Sequence, residues 1–157
     1  MSKKRQPRLP LASAPHQRAP RYAWLLASVA SFALTLTAHA NPEGGTVSGG
    51  SASITTTPKT VDIHQSSNRA IIDWRSFDIA PDETTQFHQP TTSSVTLNRV
   101  NSANPSTIAG NLQANGNVIL VNPNGVFFSK SARVDVNGLV ATTADIDNSS
   151  FIEPSES

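Results

Sequence analysis

The sequence of 157 residues contains no cysteine, so disulfides cannot hold its fold together. A chain without them depends on backbone hydrogen bonds and packing, which favours an extensive β-sheet over a small disulfide-stapled scaffold. The motifs of several enzyme classes are also absent. The sequence has no Gly-x-Ser-x-Gly elbow, no phosphate-binding loop and no dinucleotide fingerprint.

Acidic residues are missing from the first forty positions, which carry six basic ones. An apolar run from Ala23 to about Leu36 follows, and it is shorter than the roughly twenty residues that a membrane-spanning helix requires. The small residues Ala38 and Ala40 then precede Asn41. This order predicts that residues 1–40 form a signal peptide. It directs the chain to the Sec machinery, and signal peptidase removes it by cleavage after Ala40. An uncleaved interfacial anchor is the alternative.

Positive charge is scarce in residues 41–157, where six basic residues stand against eleven acidic ones and give a net charge of −5. Such a surface offers no basic stripe to neutralise phosphates, so no nucleic-acid partner is expected. No spacing resembles a zinc or EF-hand site. His64 and His88 are predicted to be surface or partly buried residues, and neither a metal nor a cofactor is expected.

Helical periodicity is also scarce after residue 41, where β-branched and short polar residues disfavour helix interiors. The helical turn that the sequence predicts lies in Pro105–Leu112, with Ser106 as its cap and Gly110 at its end. The other short segments are predicted to be strands: Ser51–Thr56, Thr60–His64, Ala70–Asp73, Ser76–Ile79, Thr84–Phe87, Val95–Val100, Val118–Val121, Val126–Phe128, Arg133–Val136 and Gly138–Thr142.

Turn signals such as Asn115-Gly116 and Asn137-Gly138 separate these short strands. Many short strands with close turns indicate an all-β sandwich, a barrel or a stacked β-solenoid. Val118–Val121 and Val126–Phe128 are continuous apolar runs, typical of strands that are buried on both faces. These runs favour the solenoid, and the sandwich remains the alternative.

The tetrapeptide Asn122-Pro123-Asn124-Gly125 is the sharpest local motif. Proline presets φ at the second position, and the following Asn and Gly tolerate left-handed backbone, so the chain can reverse between two strands. Taken alone, the tetrapeptide predicts a turn and nothing more.

Carboxylates cluster in a short stretch that contains Asp73, Asp78, Asp82 and Glu83. Paired acids can cleave glycans, so a secreted β-helical enzyme that uses Asp73 and Asp78 is one alternative function. The turn residues around them instead favour a solvated loop. The neighbouring aromatics, Trp74 and Phe77, are predicted to be core residues.

Six ordered blocks resemble the amino-terminal secretion domain of two-partner-secreted exoproteins, the filamentous haemagglutinin family. They are Gly45–Ile54, Ile63–Ile79, Gln89-Pro90, Leu97–Val100, Asn104–Gly116 and Leu120–Thr143. The resemblance implies a right-handed parallel β-helix with an N-terminal cap and no enzymatic activity. It also implies export through the periplasm of a Gram-negative bacterium to the cell surface or the medium.

The same resemblance implies a partner, an outer-membrane β-barrel transporter that recognises the domain before it is fully folded. Asn122, Pro123, Asn124 and Gly125 match the family's secretion motif, and Asn98 with Arg99 matches its Asn-Arg-Val block. Ser129 and Thr142 depart from the family pattern, where Gly and Ser are usual.

Relatives continue with further coils, whereas this chain ends at Phe151–Ser157, where the sequence shows no cap for the last coil. Residues 41–157 are therefore expected to form a truncated secretion domain. The region downstream in the family carries adhesin, haemolysin, haem-acquisition or toxin activity, and any host-cell or surface ligand would belong to it. Direct adhesion through exposed Thr and Asn ladders is a further alternative.

Overall fold

The computed structural model describes residues 40–153, which lie within one compact unit. The predicted signal peptide, including Ala38, lies outside the described residues except for Ala40, as do the last four residues of the chain. Within the described part, no helix is long and apolar enough to span a bilayer.

Ten strands and one short helix follow one another along residues 40–153. They are β1 (Thr46–Gly49), β2 (Ala52–Thr56), β3 (Thr60–Gln65), β4 (Arg69–Trp74), β5 (Thr84–His88), β6 (Val95–Val100), β7 (Ser106–Ile108), β8 (Asn111–Val121), β9 (Val126–Phe128), β10 (Arg133–Thr142) and α1 (Asn148–Ile152).

The chain winds as a parallel β-helix of about four turns. On one face β3 pairs with β5, and β5 pairs with the first half of β8. On the next face β4 pairs with β6, and β6 pairs with the second half of β8. β10 stacks on β8 along its length, and β7 pairs with β9 on a third face. The solenoid prediction is confirmed over the sandwich.

Apolar side chains from all three faces fill the inside of the coil, because alternate residues of a strand point to opposite sides of a sheet. Trp74 and Phe77 meet edge to face, with ring centroids 5.5 Å apart, and their prediction as core residues is confirmed. The buried residues of this cluster are Val61, Ile63, Ile72, Trp74, Phe77, Ile79, Phe87, Val100, Ile108, Leu112, Val118 and Leu120.

A column of buried polar side chains runs along one corner of the coil. Gln89 Nε2 donates to Thr96 Oγ1 at 3.0 Å and to the carbonyl oxygen of Asn117 at 3.0 Å. Thr96 Oγ1 in turn donates to Gln65 Oε1, and Gly116 N donates to Gln89 Oε1 at 2.8 Å. Because each buried amide has partners in neighbouring coils, the column fixes how the coils stack.

The first coil is covered by antiparallel strands. β1 pairs with β4 and β2 pairs with β3, so the edge that would otherwise expose unpaired backbone groups is occupied. The last strands are more open. The large apolar side chains of Phe127, Phe128, Val134 and Val140 are 62%, 41%, 42% and 52% exposed.

Two local predictions are wrong because stacking overrides local preference. Pro105–Leu112 contains no helical turn: β7 pairs with β9, and β8 begins at Asn111. Ser76–Ile79 is not a strand. Its end residues make isolated bridges to Glu43 and Ile108, and it carries Phe77 around a corner into the core.

The Asn-Gly pairs also differ from their prediction as turns. Asn115-Gly116 lies inside β8, and Asn137-Gly138 lies inside β10, where two predicted strands join into one with a shift of register. β9 has the predicted bounds, but its two phenylalanines are exposed and not buried on both faces. β1 is a strand that was missing from the predicted set.

We expect Gly110→Ala to destabilise the coil by about 1–3 kcal/mol, as overpacking does. A Cβ at this position would lie 2.1 Å from the carbonyl oxygen of Ala80 and 2.4 Å from that of Glu83, and both are backbone atoms. Urea unfolding measures the change. The control is Thr107→Ala in the preceding strand β7, an exposed position where the effect should stay within about 0.5 kcal/mol. Unchanged stability of Gly110→Ala would contradict the close stacking described for this corner.

Candidate functional site

The Asn122-Pro123-Asn124-Gly125 segment forms a tight turn between β8 and β9, as predicted from its residues. Gly125 N donates to the carbonyl oxygen of Asn122 at 2.9 Å, and Gly125 has a φ of +106°. Asn124 N donates to Asn122 Oδ1 at 2.9 Å. The Asn122 side chain therefore closes the turn, and glycine supplies the left-handed backbone that ends it.

Asn122 is fully buried and joins three successive parts of the chain. Its Nδ2 donates to the carbonyl oxygen of Asn104 at 3.1 Å and to Ser106 Oγ at 3.0 Å. Its backbone N donates to the carbonyl oxygen of Thr142 at 3.0 Å. Asn122 therefore links the preceding coil, its own turn and the end of β10.

The rest of the turn faces solvent. Pro123 and Asn124 are exposed, and Asn124 Nδ2 donates to the carbonyl oxygen of Ser102 at 2.7 Å. A shallow groove beside the turn is lined in part by Phe127 and Thr142. The motif thus has a buried half that organises the coil and a half that is exposed to solvent.

Asn98 lies on β6 and is fully buried. Its Oδ1 accepts a hydrogen bond from Trp74 Nε1 at 2.9 Å, and its Nδ2 lies 3.3 Å from the carbonyl oxygen of Ile119. The side chain therefore links β4, β6 and β8 and keeps the indole nitrogen satisfied inside the core.

Arg99, the next residue on β6, holds the segment that leads into α1. Its Nε donates to Asp145 Oδ1 at 2.8 Å, and its Nη2 donates to the carbonyl oxygen of Ile146 at 2.8 Å. Its Nη1 lies 3.2 Å from Asp73 Oδ1. Burial opposes the charge, but the hydrogen bonds and charges of Asp145 and Asp73 outweigh it and raise the pKa of Arg99. The guanidinium therefore stays charged.

Helix α1 covers an outer apolar face of the coil. Phe151 is buried against Ile71, Leu97 and Val121, and Arg69 Nη1 donates to its carbonyl oxygen at 3.0 Å. Phe151 thus packs on the side of the coil, and the prediction that Phe151–Ser157 provides no cap for the last coil stays a prediction.

Asp147 caps the helix. Its side chain accepts from Ser149 N at 3.1 Å and Ser150 N at 3.2 Å. Hydrogen bonds, first from the Ser149 hydroxyl and then from Ser150, lower the pKa of Asp147. Because the pKa of Asp147 is lower in the folded state, its carboxylate stabilises the fold fully at pH values above its pKa in the unfolded state. This stabilisation is lost as the pH falls through its pKa in the folded state.

The clustered carboxylates do not form a paired-acid centre. Asp73 contacts Arg99, whereas Asp78 Oδ1 accepts from Thr107 N at 2.7 Å. Asp82 pairs with Lys59 at 2.7 Å. Glu83 is 1% exposed, so its prediction as part of a solvated loop is wrong. Its Oε2 accepts a hydrogen bond from Ala80 N at 2.9 Å, and its backbone carbonyl oxygen accepts one from Asn111 N. These two bonds hold Glu83 in the buried corner between Ala80 and Asn111.

His64 and His88 are far apart in sequence but adjacent in the coil. Their strands pair in register, and the imidazole rings stack with centroids 4.3 Å apart. His88 Nε2 lies 3.4 Å from Asp62 Oδ1. Across residues 40–153, no group of three or more His, Cys, Asp or Glu side chains is placed to hold a metal ion.

The predicted site residues therefore form three separate clusters. The turn at Asn122–Gly125 contacts residues 102–106 and Thr142. Asn98 and Arg99 contact β4, β8 and residues 145–148. Ala40 and Asn41, at the predicted cleavage position, lie beside the cap of the first coil, where Asn41 Nδ2 donates to the carbonyl oxygen of Pro58 at 3.1 Å.

Residues 38–156 match the family model described as TPS secretion domain. The chain belongs to the TPS secretion domain family. Its TPS domain is 43% identical over 106 residues to a heme/hemopexin-binding protein of Haemophilus influenzae strain Rd, covering 68% of this chain and 12% of that protein. A second heme/hemopexin-binding protein of Haemophilus influenzae is 47% identical over 92 residues, covering 59% of this chain and 10% of the relative.

A solved structure gives the same fold for the TPS domain. The crystal structure of the HMW1 secretion domain from Haemophilus influenzae superposes with a TM-score of 0.67 and 37% identity. The match covers 71% of this chain and 30% of that one. The chain therefore spans a small part of the relatives it matches, and the resemblance to two-partner-secreted exoproteins is confirmed.

We expect Asn122→Ala to destabilise the TPS domain by about 2–4 kcal/mol, because two buried donor contacts and the acceptor for Asn124 N are lost together. Asn124→Ala is the matched control in the same turn. It removes one exposed hydrogen bond to Ser102 and should cost less than about 1 kcal/mol. Urea unfolding followed by circular dichroism measures both, and equal effects of the two substitutions would contradict the buried role of Asn122.

Proposed function

We propose that this TPS domain directs the export of the polypeptide in which it lies. The observation that carries the proposal is the family match over residues 38–156. It is supported by the turn at Asn122–Gly125, the tetrapeptide that resembles the family's secretion motif. The leader over residues 1–40 takes the chain to the Sec machinery, and signal peptidase removes it after Ala40. The chain then crosses the periplasm of a Gram-negative bacterium and is secreted or displayed at the cell surface.

The partner we propose is an outer-membrane β-barrel transporter of the two-partner type. The chain has no cysteine and only 15% charged residues, and both features suit passage of an extended chain through a narrow pore. Each coil that emerges can then pair with the coil before it, so folding outside supplies free energy in nearest-neighbour steps. The exposed apolar side chains of β9 and β10 fit a surface on which a further coil stacks in a longer polypeptide.

Among the predicted site residues we assign two roles according to burial. Asn122 and Asn98 are fully buried in the folded domain, so they support secretion by fixing how β4, β6, β8 and the turn stack. Arg99 acts in the same way by holding residues 145–148. Pro123 and Asn124 are exposed, and with Gly125 they form the part of the turn that the transporter can contact.

The relatives' names speak of heme and hemopexin binding, but those proteins extend far beyond the region that matches this chain. We therefore assign the TPS domain to export and leave the cargo's own activity to the downstream region. The glycan-active alternative lacks support, because Asp73 and Asp78 engage different structural partners. Direct adhesion would appear as binding of the purified domain to host cells.

The test is secretion of the full chain into the medium by cells that also produce its transporter. We expect Asn122→Ala together with Pro123→Ala to leave the protein in the periplasm and to reduce the secreted amount at least several-fold. Lys130→Ala, an exposed substitution shortly after the motif, is the control and should secrete normally. Normal secretion of the double variant would contradict the proposal.

A further inference from the structure

The first residues of the described chain are held tightly against the cap. Asn41 is 6% exposed, and its Nδ2 donates to the carbonyl oxygens of Thr57 at 3.4 Å and Pro58 at 3.1 Å. Glu43 N donates to the carbonyl oxygen of Ser76 at 2.9 Å. The bond that signal peptidase is proposed to cut therefore lies next to a fixed, buried residue.

A buried carboxylate lies at the same place. Glu83 is 1% exposed, and its Oε1 accepts a hydrogen bond from Ala40 N at 3.0 Å. Its other oxygen, Oε2, accepts from Ala80 N at 2.9 Å. Because an ionised carboxylate is costly to bury, a donor or a positive charge beside it contributes strongly.

Cleavage changes the donor that faces this carboxylate. Hydrolysis of the Ala40–Asn41 peptide bond consumes one water, leaves a carboxylate on Ala40 and frees the amine of Asn41, which takes up a proton. The amide of Ala40 departs with the leader. The α-ammonium of Asn41, with three N–H donors, is then one residue further along the chain than the lost amide. Because consecutive Cα atoms are about 3.8 Å apart, it lies close to the position that the Ala40 amide occupied.

A second acceptor lies beside the new amine. Asn41 Oδ1 is buried and has no hydrogen-bond partner among the described residues. Buried polar atoms are nearly always paired, so this oxygen offers an acceptor for an additional donor. An ammonium at Asn41 N brings additional donors to this position, and the Glu83 carboxylate supplies the opposite charge.

We infer that removal of the leader creates a buried ion pair between the α-ammonium of Asn41 and the Glu83 carboxylate, so that processing completes the N-terminal cap of the β-helix. This rests on the cleavage position in the proposed function. The processed chain is then more stable than one whose amine is blocked, and signal cleavage is coupled to the stability of the first coil.

The test uses the full chain, exported and processed in a Gram-negative host, with its mass measured to establish the first residue. Half of the product is acetylated selectively at the α-amine in urea and refolded. Acetylation should lower the Tm by about 3–6 °C in the wild type. In Glu83→Gln, whose side chain keeps the shape and can still accept from Ala80 N, acetylation should change the Tm by less than about 1 °C.

A second readout needs no substitution, and it decides the matter if Glu83→Gln does not fold. The α-amine of the wild type should be acetylated several-fold more slowly in the folded protein than in urea. Equal rates, or an equal Tm loss on acetylation in wild type and Glu83→Gln, would overturn the ion pair. A product that begins at a residue other than Asn41 would instead overturn the cleavage position and the link to processing.

Discussion

The hydrogen bonding of one coil to the next is the interaction on which the rest of this structure depends, and β8 carries most of it. This strand pairs with β5 through its first half, with β6 through its second half and with β10 along its other edge. Parallel strands pair in this way when a chain returns to the same position after each turn. The corner between the two halves of β8 therefore has to be narrow, and Gly116 provides the room, since a Cβ there would lie 2.6 Å from Gln89 Oε1.

The first coil is covered by other strands, whereas the last coil exposes apolar side chains. Antiparallel β1 and β2 close the first turn, and the segment around Asn41 fastens them. The other end keeps β10 with apolar side chains in solvent. Such an arrangement gives folding a direction, since each added coil finds a formed edge on one side. The closed N-terminal end and the open edge of β10 suit the export that we propose for this domain.

The sequence predicted the repeating architecture better than the local shape of its corners. Val95–Val100 and Val126–Phe128 were predicted with their observed bounds, because β-branched and apolar residues favour strands in any all-β fold. Pro105–Leu112 was predicted to contain a helical turn, because Ser106 is suited to cap the start of a helix and Gly110 to end it. In the fold, Gly110 instead allows the backbone of Ala80 to approach closely. That requirement comes from a segment thirty residues away and leaves no local signal.

The candidate site shows the same division. The turn at Asn122–Gly125 was predicted from residue chemistry alone, and its backbone follows that chemistry. The burial of Asn122 and the contacts of Arg99 were not predictable. Apart from Asp73, the partners of Arg99 lie 46 to 49 residues downstream, where a short polar segment gives no periodic pattern. Glu83 appeared to be a loop carboxylate because its burial depends on the corner formed by Ala80 and Asn111.

Site-resolved hydrogen exchange of the full chain is the most direct measurement of whether coil-on-coil pairing holds the molecule together. The amides of β6 and β8 should exchange slowest, because neighbouring coils lie on both sides of these strands. The amides of β10 should exchange faster, because within the described residues β10 pairs with β8 alone. Uniform protection from β4 to β10, or rapid exchange throughout β8, would contradict the account.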